Sequence, residues 1–477
     1  MKFDEGFTYD DVLLVPQRSF IDHRHQISLT TKLTRSISMN LPFISANMDT
    51  VTESAMAIAL ATEGGIGIIH RFMTIEEQVQ EVFTVKRNVG FILDAPYTIG
   101  PKDTIQTALQ KKTKTGIDCF LVVDGSNHIV GILSRRDYQF VDSLSTPVYT
   151  VMTPRKELIV GNRKTSIKEA KHIFLTKKIE KLPLVDKNNI LVGLITARSV
   201  RNFEKFPYST KDSYGRYRVG AAVGVVNDYL DRTQALLDAG ADVIVVDVAH
   251  GHNDVSLRAL KTIRKKYKHI DLIGGNVATP QGVGDLIDCG VDAVKVGIGP
   301  GGLCTTRIVA GVGVPQLTAI MRASVAAKKS GVPVIADGGT TYPGDITKAL
   351  AAGASTIMLA GWFAGTDESP GGIIMRKGMK YKVHRGSASF LATADRKLKL
   401  EQSTEERLNS IVAEGVEALI PYKGKVADVI YQLGGALKSG MSYCNAKTIP
   451  ALWKNARFIK ITDAGLRESK AHNVEEL

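Results

Sequence analysis

VIVVDVAHGH (residues 243–252), DLIGGNVAT (271–279), AVKVGIGPGG (293–302), VPVIADGGT (332–340) and TIMLAGWFAG (356–365) are built alike. Each is a short β-branched run that breaks into a glycine-bearing loop. Helical patterns such as RTQALLDAGA (232–241) and GVGDLIDCG (282–290) lie between them. Short apolar strands alternating with helices predict a parallel sheet covered on both faces. LPFISANMDTV (41–51) and GGIGIIH (64–70) have the same character but stand far upstream. The expectation is an α/β fold, a (β/α)8 TIM barrel split by an insert. Barrel segments would occupy residues 1–90 and 207–477, with ligand chemistry at the C-terminal strand ends.

The intervening stretch repeats itself. VDGSNHIVGILSRRDYQF begins at Val123 and VDKNNILVGLITARSVRNF at Val185. Asp124 recurs as Asp186 and Gly131 as Gly193, a constant offset of 62 positions. Each copy reads strand, polar turn, strand, helix start, and TIQTALQ (104–110) and SIKEAKH (166–172) precede them as amphipathic helices. This pair, residues 91–206, resembles a tandem CBS-domain module, and VMTP (151–154) resembles such a module's usual start. The resemblance implies binding of regulatory ATP or GTP. The other reading is an insert that binds nothing.

Composition narrows the class. Four cysteines in 477 residues form no disulfide framework. No apolar run reaches membrane-span length, and the acidic N-terminus MKFDEGF is unlike a signal peptide, so a cytoplasmic protein without membrane contact is expected. The net charge of +13 suits anionic ligands such as nucleotides. It would suit nucleic acid too, but no recognition helix or aromatic-basic motif accompanies it.

Three loops carry the chemistry. GIGPGGLCTTR (297–307), DGGTTYPGD (337–345) and LAGWFAG (359–365) fall at successive strand ends, where glycines let backbone amides approach a phosphate. Ordinary tight turns are the alternative. Cys304 sits in the first loop beside Thr305 and Thr306, and hydroxyl and amide donors there would stabilise a nucleophilic thiolate. A buried small hydrophobe is the commoner fate of a cysteine, and Cys119 and Cys289 fit it. Asp337 closes a strand beside glycines, where one carboxylate suits a ribose diol. Asp247 closes another, with helix capping as the alternative.

TYDDVLLVP (8–16), ANMDTVTE (46–53), GGIGIIH, GGNVAT (274–279), the Cys304 loop, GVGVPQ (311–316) and YKG (422–424) together resemble the IMP dehydrogenase/GMP reductase family over almost the whole chain. The resemblance implies that Cys304 attacks C2 of a purine nucleotide, GMP or IMP, while a nicotinamide exchanges hydride with that carbon. Thr306 and Glu414 would move protons. Ser45, Met48, Asn276, Gly302, Asp337, Gly338, Gly339 and Gly361 would hold the nucleotide. Asp247, Val248 and Ala249 would face the cofactor, NADPH or NAD+. The carbonyls of Gly299, Gly301 and Cys304 would hold K+. A homotetramer or octamer is also implied.

The family's two reactions part at the flap, here residues 384–414. Dehydrogenases carry an Arg-Tyr pair there to activate water. This chain reads ADRKLKL (394–400), with Arg396 followed by Lys397, and a protonated lysine is a poor base. Val248-Ala249, Gly361-Trp362 and GSAS (386–389) resemble reductases. ALAAGAS (349–355), AGTDESPG (364–371), the CBS module and the long flap resemble dehydrogenases. Gly302 stands where both usually have serine. The expectation is a GMP reductase, with IMP dehydrogenase as the alternative and an inactive nucleotide sensor as a third reading.

Overall fold

The computed structural model describes residues 3–88, 91–94, 96–400 and 412–471. Eight parallel strands form a closed barrel: β1 (Phe43–Ser45), β2 (Ile66–Ile69), β3 (Gly220–Val223), β4 (Val243–Asp247), β5 (Asp271–Val277), β6 (Ala293–Val296), β7 (Val334–Asp337) and β8 (Thr356–Leu359). Each strand pairs with the next in the chain, and β8 pairs with β1. β2 and β3 pair directly although some 150 residues separate them in sequence. The barrel is therefore split, as its sequence pattern implied.

Each strand feeds a helix: α1 (Ser54–Glu63), α2 (Ile75–Asn88), α3 (Tyr229–Asp238), α4 (Asp254–Lys266), α5 (Pro280–Asp288), α6 (Gln316–Lys328), α7 (Pro343–Ala351) and α8 (Val426–Tyr443). Side chains set the helix starts. Asn253 accepts from the Ser256 amide, Thr279 from the Gly282 amide, and Pro280 and Pro343 occupy first turns.

Strand alternation decides what lines the barrel. Val243, Val245, Ile273, Ala293, Ile335 and Met358 meet in one buried interior cluster. Leu33, Ile37 and Met39, from a hairpin ahead of β1, join it. That hairpin closes the end where strands begin, since Arg35 pairs with Asp292 at 2.8 Å and Ser36 with Asp271. Two residues onward along the same face, toward the opposite end, come Asp247, Gly275, Lys295 and Asp337. The apolar interior thus ends in a polar layer beneath the glycine loops.

A second compact unit comprises Arg87–Pro207 and Lys211–Arg216. It is wider than residues 91–206. Arg216 reaches Asp94 at 3.1 Å and Asp212 at 2.9 Å, so a segment downstream of the repeats packs with them. The two halves match in order. Helix Ile105–Thr115 precedes strands Phe120–Val123 and Ile129–Leu133, and helix Ile167–Lys177 precedes strands Lys181–Val185 and Leu191–Thr196. The 62-residue offset reappears as reciprocal bonding. Asn127 Nδ2 donates to the Leu191 carbonyl at 3.1 Å, and Asn189 Nδ2 to the Ile129 carbonyl at 3.0 Å. Both asparagines have φ of 62°, a left-handed turn conformation that asparagine tolerates.

Candidate active site

The loop after β6 is held open by glycines that nothing else can replace. Gly297 has φ +151°, and a Cβ there would lie 2.2 Å from the Asp337 carbonyl oxygen. Gly299 has φ +78°, against the Arg307 side chain. Arg307 Nη2 donates to the Val314 carbonyl at 2.6 Å and so ties the far end of the loop down. Within this frame the Cys304 amide donates to the Gly301 carbonyl at 2.9 Å. The Cys304 Sγ lies 3.1 Å from Thr306 Oγ1 and is partly exposed. The other three cysteines are buried, and burial pushes each of those thiols up.

The flap base clasps this loop. Strand β9 (Ile374–Arg376) turns into β10 (Met379–Arg385), which pairs with β11 (Glu417–Pro421). Where β10 and β11 end, Thr305 N donates to the Glu414 carbonyl at 2.9 Å and Val416 N to the Leu303 carbonyl at 3.0 Å. Glu414 N donates to the Ala388 carbonyl at 3.0 Å. Glu414 is thereby brought within one backbone bond of the residue next to Cys304. Arg385 binds Asp49 and, at 2.7 Å, Asp395, linking the flap helix Phe390–Leu400 to the loop after β1. Flap residues 401–411 lie outside the described residues.

The polar layer centres on a residue that the sequence reading passed over. Lys295 Nζ lies 2.8 Å from Asp337 Oδ2 and 3.1 Å from Asp247 Oδ1, and the residue is 3% exposed. Burial alone would lower the Lys295 pKa, but Asp337 and Asp247 more than offset it and hold the ammonium charged. Burial would raise the Asp247 carboxyl, yet Lys295 and then Arg71 bring it below its ordinary value. Asn276 Nδ2 donates to Asp337 Oδ2 at 2.9 Å and to the Gly297 carbonyl at 2.8 Å. A lysine between Val294 and Val296 in a buried strand was the available signal.

The remaining expected residues, Ser45 excepted, ring this layer. Gly338 and Gly339 have φ of +91° and +84° and lie against Pro300. Gly302 has no heavy atom within 4 Å of a Cβ position, and Gly361 has only Ile420 at 4.0 Å. Both loops keep open space there. Lys423 Nζ donates to the Gly361 carbonyl at 2.9 Å. Met48 packs on the barrel core, and Val248 N donates to the Gly275 carbonyl at 3.4 Å. Ala249 is exposed. Ser45 is not brought to this layer: it alternates with Ile44 and Ala46 of the barrel interior, and its Oγ lies 3.2 Å from a Cβ position on Gly67 that abuts Ala57 of α1. Asn276 Oδ1 is buried without a hydrogen-bond partner among the described residues. An unpaired buried polar atom is costly, so the free Asn276 Oδ1 beside Asp337 and the open space at Gly302 and Gly361 mark this end of the barrel as a ligand site.

The model of the IMP dehydrogenase / GMP reductase domain matches residues 6–472. The chain belongs to this family. Members are NAD(P)-dependent oxidoreductases of purine metabolism, and this chain is one of them. Inosine-5'-monophosphate dehydrogenase of Nitrosopumilus maritimus is 51% identical over 476 residues, covering 99% of both chains. GMP reductase of Leishmania donovani is 44% identical over 482 residues, 99% of this chain and 98% of that one. The crystal structure of a cysteine-to-alanine variant of Trypanosoma brucei GMP reductase, in complex with guanosine 5'-monophosphate, superposes with a TM-score of 0.92. It is 41% identical and covers 99% of both chains. In this family member no described helix is long and apolar enough to cross a membrane, and no described cluster of His, Cys, Asp and Glu could hold a metal.

Proposed function

We propose that the chain is an NADPH-dependent GMP reductase. The observation that carries the reading is Arg396-Lys397 in the flap, where hydrolysis of a covalent purine adduct would call for an arginine with a phenol. A charged lysine cannot accept a proton from water. A reductase has no such step, because its adduct is resolved by hydride. The GMP-bound structural relative, alike over 99% of the chain, supports the same reading.

The residues fit the substrate. Asp337, anchored by Asn276 and Lys295, would accept both ribose hydroxyls. The Gly338, Gly339 and Gly361 amides would meet the phosphate, and the open space at Gly302 leaves room for it. Cys304 Sγ, 3.1 Å from Thr306 Oγ1, would form a bond to C2 of GMP. Thr306 and Glu414 would deliver the proton with which the 2-amino group leaves as ammonia. When bound beside Asp247, Val248 and Ala249, the nicotinamide supplies the hydride that C2 accepts. The C2–sulfur bond then breaks and its electron pair returns to Cys304. GMP, NADPH and two protons give IMP, NADP+ and ammonium.

The carbonyls of Gly299, Gly301 and Cys304 would offer neutral oxygens and no carboxylate, which would suit a weakly hydrated monovalent cation such as K+. The second unit would act as the paired CBS module and take ATP or GTP. A GMP reductase structure of Trypanosoma brucei in complex with guanosine 5'-triphosphate, 37% identical with a TM-score of 0.80, supports a guanine effector.

A second reading has its own support. The 51% identical relative is named a dehydrogenase, so oxidation of IMP to XMP with NAD+ is the competing reaction. Two assays separate them: nicotinamide absorbance with GMP plus NADPH, and with IMP plus NAD+. Loss of NADPH with IMP as product is expected in the first, no change in the second, and neither in Cys304→Ala. NADH formation with XMP as product would reverse the assignment.

A further inference from the structure

Two oddities of the sequence, the paired glycines of GGN and the lysine inside AVKV, explain each other. Strands β4, β5 and β6 run in register so that Asp247, Gly275 and Lys295 stand side by side on one face. Neighbouring strands lie about 4.8 Å apart, so the backbones of 247 and 295 are separated by about 10 Å with position 275 between them. Any side chain at 275 would fill that space. A Cβ on Gly275 would lie 2.6 Å from the Lys295 Cβ and 2.7 Å from its carbonyl oxygen. With the space clear, the Lys295 stem crosses β5 and its ammonium meets Asp247 on one side and Asp337 of β7 on the other.

We propose that Lys295 is a positioning residue that couples the two halves of the site. It holds the nucleotide-side carboxylate Asp337 and the cofactor-side carboxylate Asp247 in a fixed relation across the gap left by Gly275. This rests on the reading above that Asp337 faces the ribose and Asp247 the cofactor. One ammonium shared by two carboxylates makes each carboxylate's position depend on the other's. A ligand that fixes one therefore pre-orders the other, and the two ligands bind with mutual enhancement.

The same cluster gives a signature that loss of packing would not. Without the ammonium, two partly exposed carboxylates are left facing one gap, and their mutual repulsion favours the form in which one of them holds a proton. The other groups facing the pair are Arg71 and Asn47 beside Asp247, and Asn276 and Tyr9 beside Asp337. Of these only Arg71 carries a charge at neutral pH, and it faces Asp247. Asp337 is accordingly the carboxylate left without a cation, and a protonated Asp337 is a poorer acceptor for a diol.

The test is calorimetric binding of GMP, IMP and NADPH to the full chain and its Lys295→Met, Lys295→Arg and Lys295→Met/Asp247→Asn variants, from pH 6 to 9. Lys295→Met should weaken nucleotide and dinucleotide each by tenfold or more at pH 7, with the nucleotide loss shrinking toward pH 9. Lys295→Arg should restore both to within about threefold. Adding Asp247→Asn to Lys295→Met removes one of the like charges and should tighten nucleotide binding at least threefold. Weakening of one ligand alone, a loss independent of pH, or no gain from the second substitution overturns the proposal. If Lys295→Met does not fold, Asp247→Asn alone decides: it should shift nucleotide affinity at least twofold, and an unchanged affinity overturns the proposal. Wild-type protein that binds neither nucleotide overturns the reading of the site, and the coupling with it. Wild-type binding with an unaltered Lys295→Met overturns the coupling alone.

Discussion

His384, at the foot of the flap, is buried, and its Nδ1 lies 3.1 Å from Thr50 Oγ1 in the loop that follows β1. Burial lowers its pKa to about 4, opposed by the nearby Asp49 and helped by Lys423. The folded protein therefore keeps a neutral ring while the unfolded chain takes up a proton below about pH 6.5. Stability from this group is fully present above pH 6.5 and is lost as pH falls toward 4, because the unfolded state binds more protons across that window. By pH 5 the loss amounts to about 2 kcal/mol. His384→Asn keeps a polar atom for Thr50 and removes the titration. Urea midpoints measured at pH 8 and pH 5 should fall much further for the wild type than for the variant. Equal shifts would mean that the ring is charged in the folded state.

At the scale of elements, the flap base and the Cys304 loop act as one clasp, and its tightness depends on small residues. A Cβ at Gly415 would lie 3.2 Å from the Leu303 carbonyl oxygen and 3.2 Å from the Ser389 amide, and one at Gly386 would lie 3.2 Å from the same Leu303 oxygen. Gly415→Val should push the Glu414 strand away from Thr305 while leaving the Asp337 layer and its glycine loops untouched. The expected outcome is a fall in kcat of about 10- to 100-fold, since a displacement near 1 Å at the reacting groups costs about that much. Nucleotide dissociation constants should stay within about threefold. A variant that loses nucleotide affinity instead would show that the clasp serves binding rather than positioning. None of these contacts was legible in the sequence. Strand-then-glycine units reveal a barrel because their pattern is local, and Cys304 lies two residues from Thr306, so that pair was legible too. Leu303, Gly386 and Gly415 meet only because the chain returns after more than eighty residues. Lys295 escaped notice for a similar reason. Alternation along one strand says which way a side chain points, but only closure of the barrel shows that Asp247 and Asp337 flank it.

For the whole molecule, the question is whether the barrel needs the unit that interrupts it. β2 and β3 pair directly, Gly220 beside Ile68, so the ladder is complete without the inserted residues. The barrel-side ends of the insert are also joined from within. Lys86 Nζ donates to the Tyr217 carbonyl at 3.0 Å and pairs with buried Asp242 at 2.8 Å. Closing a loop between these ends costs little more entropy for a short flexible linker than for the native segment, since that cost grows only with the logarithm of length. The second unit has its own buried clusters, around Phe120 and Leu133 in one half and Leu182 and Ile195 in the other, so each part carries the core it needs. Tyr208–Thr210 belong to the barrel, where the Thr210 amide donates to the Ala61 carbonyl at 2.8 Å. Replacing only residues 88–207 by a short Gly-Ser linker should therefore leave a folded barrel whose kcat with GMP and NADPH stays within about threefold of the intact chain. Titrating ATP and GTP into both proteins should change the rate of the intact chain and leave the shortened one unmoved. An identical response in the two would place the effector in the barrel and remove the regulatory role from the repeats. Loss of nucleotide binding with the barrel still folded would mean that the insert shapes the site directly, against the independence that the β2–β3 pairing and the Lys86 anchor imply.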